Sequence, residues 1–200
     1  AGHKIAILSS LAYGGYINFS EVYLQGIRNI SLVDIFEAEK LGFSIKLIAS
    51  SKINEDNLVE ISAEPILLKN EKLLSNVNDV YNAIEVTGSY TGKTLFYGKG
   101  AGMEPTASAV ISDIVKIATD SVINSSFFFD TDSHLKTVDT NELKHEFYIR
   151  TSKDFNIESS VLELYEEIDN YYIIIAENIS RNELDEIFTD VNEKLIIKII

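Results

Sequence analysis

Three glycines alternate over five residues, at Gly98, Gly100 and Gly102, and Pro105 follows. The pattern predicts a strand over Thr94 to Tyr97, a glycine turn, and a helix beginning near Pro105. Glycine adopts positive φ without strain, and proline suits a first helical turn, where its missing N–H is not needed. Bare backbone at a helix start can receive an anion or the edge of a cofactor. A tight strand-to-helix connection accounts for the same residues with no ligand at all. Glu104 and Thr106 flank the turn and either touch a ligand or cap the helix. Lys4 falls in a first helical turn, where lysine ordinarily faces solvent. His3 beside it reads as a proton relay or as a surface or packed side chain. His134 and His145 lack an acidic pair at ligand spacing and cysteine is absent, so no metal site is assigned. No serine sits in a Gly-x-Ser-x-Gly elbow.

Longer stretches carry more. The run Tyr97-Gly98-Lys99-Gly100-Ala101-Gly102-Met103-Glu104-Pro105-Thr106-Ala107-Ser108-Ala109, with the opening Ala1-Gly2-His3-Lys4-Ile5-Ala6-Ile7-Leu8, resembles homoserine dehydrogenase. Gly26 to Ala49 and Asn76 to Gly98 are similar to that family as well. The resemblance covers about Ala1 to Ser121. It implies that Lys4 is the family's catalytic lysine, a general acid for the carbonyl oxygen of aspartate 4-semialdehyde as hydride arrives. The substrate-binding aspartate of the family's Asp-x-x-x-Lys motif then falls before Ala1, and a glutamate for the substrate amino group further upstream. Gly98, Gly100, Ala101 and Gly102 are implied to approach the nicotinamide end of NADP or NAD. Gly100, Glu104 and Thr106 are implied to lie near substrate. The activity implied is the interconversion of aspartate semialdehyde and homoserine in threonine, methionine and isoleucine biosynthesis.

These 200 residues contain no Gly-x-Gly-x-x-Gly strand-turn-helix. The main dinucleotide site, an N-terminal Rossmann half in the family, is therefore expected outside them. The 200-residue piece alone is expected to be inactive. The alternative is a non-catalytic dimerisation or amino-acid-sensing module.

Composition sets bounds. At 46% hydrophobic content the chain can build one sizeable core, or a core and a small satellite. A net charge of −14 argues against nucleic acid, which needs clustered Lys and Arg. No apolar run reaches the length of a membrane span and no signal peptide opens the chain, so a cytoplasmic, membrane-free protein is expected.

The elements that must position the site follow from periodicity. Ile5, Leu8, Leu11 and Ala12 predict a helix over His3 to Tyr13, ended by Gly14-Gly15. Phe19 to Ile27 reads as a strand. Ser31 and Asp34 form a capping box for a helix that carries Ile35, Ala38 and Leu41 to Gly42. Phe43 to Ser50 and Leu58 to Leu68 are strands, the second with Pro65 suggesting an edge or bulge. Glu71 to Val77 is a short helix. Tyr81 to Gly88 and Lys93 to Tyr97 form a hairpin. Residues 122–140 read as a linker with a docked aromatic cluster at Phe127-Phe128-Phe129.

Beyond it, a strand over His145 to Thr151, a helix over Glu158 to Ile168, a strand over Tyr171 to Ala176, a Ser180-capped helix and a final strand from Lys194 give β-α-β-α-β. This resembles a reduced ACT domain, with Asp154-Phe155-Asn156-Ile157 in place of its usual Asp-x-Pro-Gly. The expected fold is α+β. A mixed sheet with helices on one face spans residues 1–121, and a small ACT-like domain spans 141–200. A homodimer through Phe43 to Ser50 and Tyr81 to Tyr97 is expected, because one-sided helices leave a sheet face or edge to cover.

Overall fold

The computed structural model describes residues 1–119, 130–153, 161–168, 170–191 and 193–200, with backbone only for Asp130 and Thr131. The chain folds as two units. One is built from residues 1–69 with the C-terminal portion, the other from the residues between, of which 70–119 are described.

In the first unit, helix α1 (Gly2–Tyr13) leads through strands β1 (Gly15–Tyr16) and β2 (Tyr23–Leu24) to helix α2 (Leu32–Lys40) and the long hairpin β3 (Phe43–Ile53) and β4 (Val59–Lys69). The second unit holds the hairpin β5 (Tyr81–Gly88) and β6 (Gly92–Lys99) and helix α3 (Met103–Thr119). The chain then returns to the first unit with β7 (Asp130–His134), β8 (His145–Ser152), β9 (Leu162–Ile168), β10 (Tyr171–Ile179), helix α4 (Arg181–Ile187) and β11 (Lys194–Ile199). β7 pairs in parallel with β1, and Val59 exchanges backbone hydrogen bonds with Lys136 and Val138. Residues 130–138, expected within a linker, are thus tied to both sheets of this unit. Phe127-Phe128-Phe129 and the Asp154 to Ile157 loop lie outside the described residues.

A mixed seven-stranded sheet runs β2-β4-β11-β8-β10-β9, with β3 on the other side of β4. β2 and β11 both pair in parallel with β4, one at Ser62 and Ala63, the other at Ile66 and Leu67. Pro65 lies in between. Ala63 and Leu67 turn their carbonyls towards that side, accepting from Gln25 and Ile200. Two residues from Ala63 and two from Leu67, Pro65 aims its missing N–H at the gap where one neighbour has ended and the other begins. No ladder bond is lost, so the proline sits inside a continuous interior strand rather than at an edge or bulge.

Alternate residues of a strand face opposite sides. Val59, Ile61 and Leu67 of β4 share one face. The first two cluster with Ala6 of α1, and Leu67 clusters with Ala38 of α2. Both helices therefore cover the same face, as expected. On β8, Tyr148 belongs to that side, while Phe147 and Ile149 pack on Leu184 and Phe188, so α4 covers the opposite face.

Further expectations need correction. Phe19 to Ile27 is a 3-10 turn (Phe19–Glu21) followed by the two-residue β2. The region 161–168, expected as helix, is strand β9, since antiparallel pairing with β10 overrides the helix-like spacing of Val161, Leu162, Tyr165 and Ile168. The face of α1 is also inverted: Gly2, Ala6, Ser9 and Ser10 are buried, while Ile7, Leu8 and Leu11 are exposed. A stripe of small side chains lets α1 lie close on the sheet. Ser10 Oγ is satisfied there, donating to the Ala6 carbonyl at 2.8 Å and accepting from the Ile17 N–H at 3.1 Å.

Polar staples tie the early and late parts of the first unit together. Lys198 Nζ donates to Glu60 Oε1 at 2.9 Å, and His145 Nε2 stands 3.5 Å from the same oxygen. His145 and Lys198 outweigh burial and hold the Glu60 carboxyl near about 2, against an ordinary 4.5. A depressed carboxylate stabilises the fold above its unfolded value, and that stability is lost as pH falls through the folded one. Urea midpoints should therefore fall between pH 4.5 and about 2, and Glu60→Gln should flatten the fall. An unchanged slope in that variant would remove Glu60 as a cause.

Candidate active site

The first turn of α1 presents Lys4. Its N-cap, Ala1, offers no side-chain hydrogen bond. Gly2 is buried, and a Cβ there would stand 2.6 Å from Leu24 Cδ2 and 3.0 Å from Phe19 Cε2. The His3 ring stacks on Phe19 with centroids 3.8 Å apart and planes at 9°. Lys4 is exposed and takes part in no salt bridge or side-chain hydrogen bond among the described residues. No described helix is long and apolar enough to cross a membrane, and no described group of three or more His, Asp or Glu side chains is placed to hold a metal.

The glycine turn belongs to the second unit. β5 and β6 pair in register, Tyr81 opposite Lys99 and Asn82 opposite Gly98, and Tyr81 stacks on Tyr97 with centroids 4.9 Å apart. Beyond β6 the Gly100 N–H donates to the Val80 carbonyl at 3.0 Å. Ala101 and Gly102 make the bend, Gly102 at φ +117°, and Met103 begins α3 two residues before Pro105. Thr106 does not cap by accepting an N–H. Its hydroxyl donates back to the Gly102 carbonyl at 2.8 Å, as its backbone N–H does at 3.2 Å. Glu104 places a negative charge in the first turn of α3, where the helix dipole favours one. The turn therefore gathers Gly98, Gly100, Ala101, Gly102, Glu104 and Thr106, while Lys4 belongs to the first unit.

Two of the glycines do different things. Apart from its chain neighbours, no described atom lies within 4 Å of where a Gly98 Cβ would stand, so the main chain is open on that side. At Gly100 a Cβ would fall 1.7 Å from Asn82 Nδ2 and 2.5 Å from its Cγ. Gly100→Ala should turn the exposed Asn82 side chain aside, at a cost of about 1 kcal/mol or less because the clash falls on its far end. Asn82→Ala in the same chain should shrink that cost. Thermal melts of the three variants check this, and additive losses would exclude the clash. Sequence reasoning misses both Asn82 and Phe19. The only signal for Asn82 is its place opposite Gly98 in the hairpin register, and Phe19 gives none.

Comparison with known proteins follows this geometry. The family model described as homoserine dehydrogenase matches residues 1–115. The homoserine dehydrogenase of Helicobacter pylori is 43% identical over 152 residues, 75% of this chain and 35% of that protein. That of Neisseria gonorrhoeae is 47% identical over 118 residues, 59% of this chain and 27% of that protein. The crystal structure of a homoserine dehydrogenase from Thiobacillus denitrificans superposes over 100% of this chain and 52% of its own, with a TM-score of 0.80 at 27% identity. One from S. aureus at pH 8.5 covers 98% of this chain and 52% of its own, with a TM-score of 0.69 at 30% identity. The chain spans about a third of the length of these curated relatives and about half of the solved chains. With the family model covering more than half of its residues, the chain belongs to the homoserine dehydrogenase family.

Proposed function

We propose that this chain is the substrate-binding and dimerisation portion of a homoserine dehydrogenase, which interconverts L-aspartate 4-semialdehyde and L-homoserine with NADP or NAD. The observation that carries the reading is Lys4. In a chain matched to this family across residues 1–115, Lys4 stands exposed at the first turn of α1, with no ion-pair partner among the described residues.

Hydride arriving at the carbonyl carbon places negative charge on the oxygen. A lysine ammonium within hydrogen-bond reach stabilises that charge and gives the oxygen its proton. In the oxidative direction the neutral amine takes the hydroxyl proton back. The open backbone at Gly98 fits the edge of a planar ring, because no side chain would have to move for it to approach. The bound nicotinamide supplies or accepts the hydride. The glycine turn offers a surface for it, and Glu104 and Thr106 stand next to that turn in the first turn of α3. The test is homoserine-dependent reduction of NADP or NAD by the full-length protein carrying this chain. No reduction above a blank with either cofactor would reject the reading.

The homodimer belongs to the same proposal. Among the described residues β3 pairs with β4 alone, leaving eleven residues of edge strand. α2, on the adjoining face, exposes Leu32, Ile35 and Phe36. In the other unit, Ile84, Val86, Phe96 and Tyr97 of the hairpin are exposed. A symmetric partner is the commonest cover for such surfaces. A C2 dimer burying at least about 1,200 Å² is expected. Light scattering should give twice the protomer mass at micromolar concentration, and a monomer mass would refute it.

The late strands support an ACT-like reading. β11, β8, β10 and β9 lie in that order, all antiparallel, and α4 connects β10 to β11 on one face.

A further inference from the structure

Resting on the assignment of Lys4 as proton donor, we propose that Phe19 is a positioning residue: its stack on His3 and its contact with Gly2 fix the first turn of α1, and with it the Lys4 ammonium.

The need for such a device lies in the first turn of α1. Lys4 sits within this turn, on a flexible four-carbon stem. No ion pair or side-chain hydrogen bond within the described residues directs it.

Packing fixes the turn around it. Gly2 is buried under Phe19 and Leu24, which leave no room for a Cβ. His3 lies flat on the Phe19 ring, 9° from parallel. Phe19 is in turn held from behind. It opens a 3-10 turn whose N-cap Asn18 accepts from the Ser20 N–H at 3.0 Å, and its carbonyl accepts from the Val22 N–H at 3.2 Å. Val22 is buried with Ala6, Ile17, Val59 and Ile61. A line of packed groups therefore runs from β4 through Val22 and Phe19 to His3, the residue before Lys4. A shift of about 1 Å in a catalytic group can cost on the order of 10²-fold in rate.

The test uses the full-length protein and steady-state homoserine oxidation. Phe19→Ala should lower kcat by about 10–100-fold, with KM within about twofold. Phe19→Tyr keeps the stack and should keep the rate. His3→Ala removes the stack from the exposed side and should lower kcat in the same direction, so the test stands even if Phe19→Ala fails to fold. The decisive comparison is with Lys4→Ala. With no ammonium to misplace, Phe19→Ala added to Lys4→Ala should cause no further loss of kcat, whereas a purely structural role lowers both backgrounds equally. Equal losses in the two backgrounds, or wild-type kcat in both His3→Ala and Phe19→Ala, would overturn the proposal. Normal turnover by Lys4→Ala alone is a different failure: it removes the donor, and the role of Phe19 falls with it.

Discussion

Lys4→Ala in the full-length protein is expected to cut kcat by about 10²–10⁴-fold, the range for loss of a positioned acid. KM should change far less, because a proton donor acts on charge that appears only as hydride transfers. The fold should be untouched. Lys4 is exposed and makes no ion pair among the described residues, so its removal strands none of them. Circular dichroism melts within about 1 °C of wild type, together with the fallen rate, separate chemistry from stability. Near-normal turnover rejects Lys4 as the donor.

Arg150→Met is expected to do the opposite, destabilising the fold by about 3–5 kcal/mol, the cost of leaving a buried charge without its partner. Arg150 Nε donates to the fully buried Asp34 Oδ1 at 2.8 Å, and Nη2 donates to the Asn29 carbonyl at 3.1 Å. The Tyr148 hydroxyl donates to the same Asp34 oxygen at 3.1 Å, while burial, with the Asp34 charge, pushes the phenol well above its usual range. Asp34 also closes the capping box of α2, accepting from both the Ser31 N–H and its hydroxyl at 2.7 Å. One carboxylate thus starts a helix in the early part of the chain and anchors a strand in the late part. Methionine keeps much of the arginine's bulk but none of its donors. Urea denaturation should show the full loss, and Asp34→Asn in the same chain should return part of it. A loss under about 1 kcal/mol in Arg150→Met would show the pair to be solvated in practice.

Local chemistry was legible in the sequence. Ser31 with Asp34 and Ser180 with Glu183 form capping boxes where the residue types put them, because a cap depends on neighbours a few positions away. The hairpin of β5 and β6 and the glycine turn were legible for the same reason. What was not legible depends on distant partners. Leu162-Glu163-Leu164-Tyr165-Glu166-Glu167-Ile168 satisfies helical spacing, and only the antiparallel pairing offered by β10 makes it a strand. The inverted face of α1 follows from how closely the sheet lets a helix approach, which Ala6 and Ser10 permit and Leu8 does not. At the candidate site, the family resemblance led to Lys4 and the glycines. Phe19 and Asn82 were not legible, because each meets its partner only through folding.

The placement of β11 bears on how the molecule comes into being. Ile199 pairs with Leu67, and the Ile200 N–H donates to the Leu67 carbonyl. On a ribosome adding about 5–20 residues per second, β4 emerges on the order of ten seconds before the strand that covers its side. Throughout that interval the nascent chain carries a bare strand edge, open to any extended segment nearby. Pairing across so much intervening chain is also slow once both strands exist. β11 therefore decides whether the sheet closes on itself or on a neighbour. Truncation just ahead of β11 should send the product into aggregates while leaving every residue of the candidate active site in place.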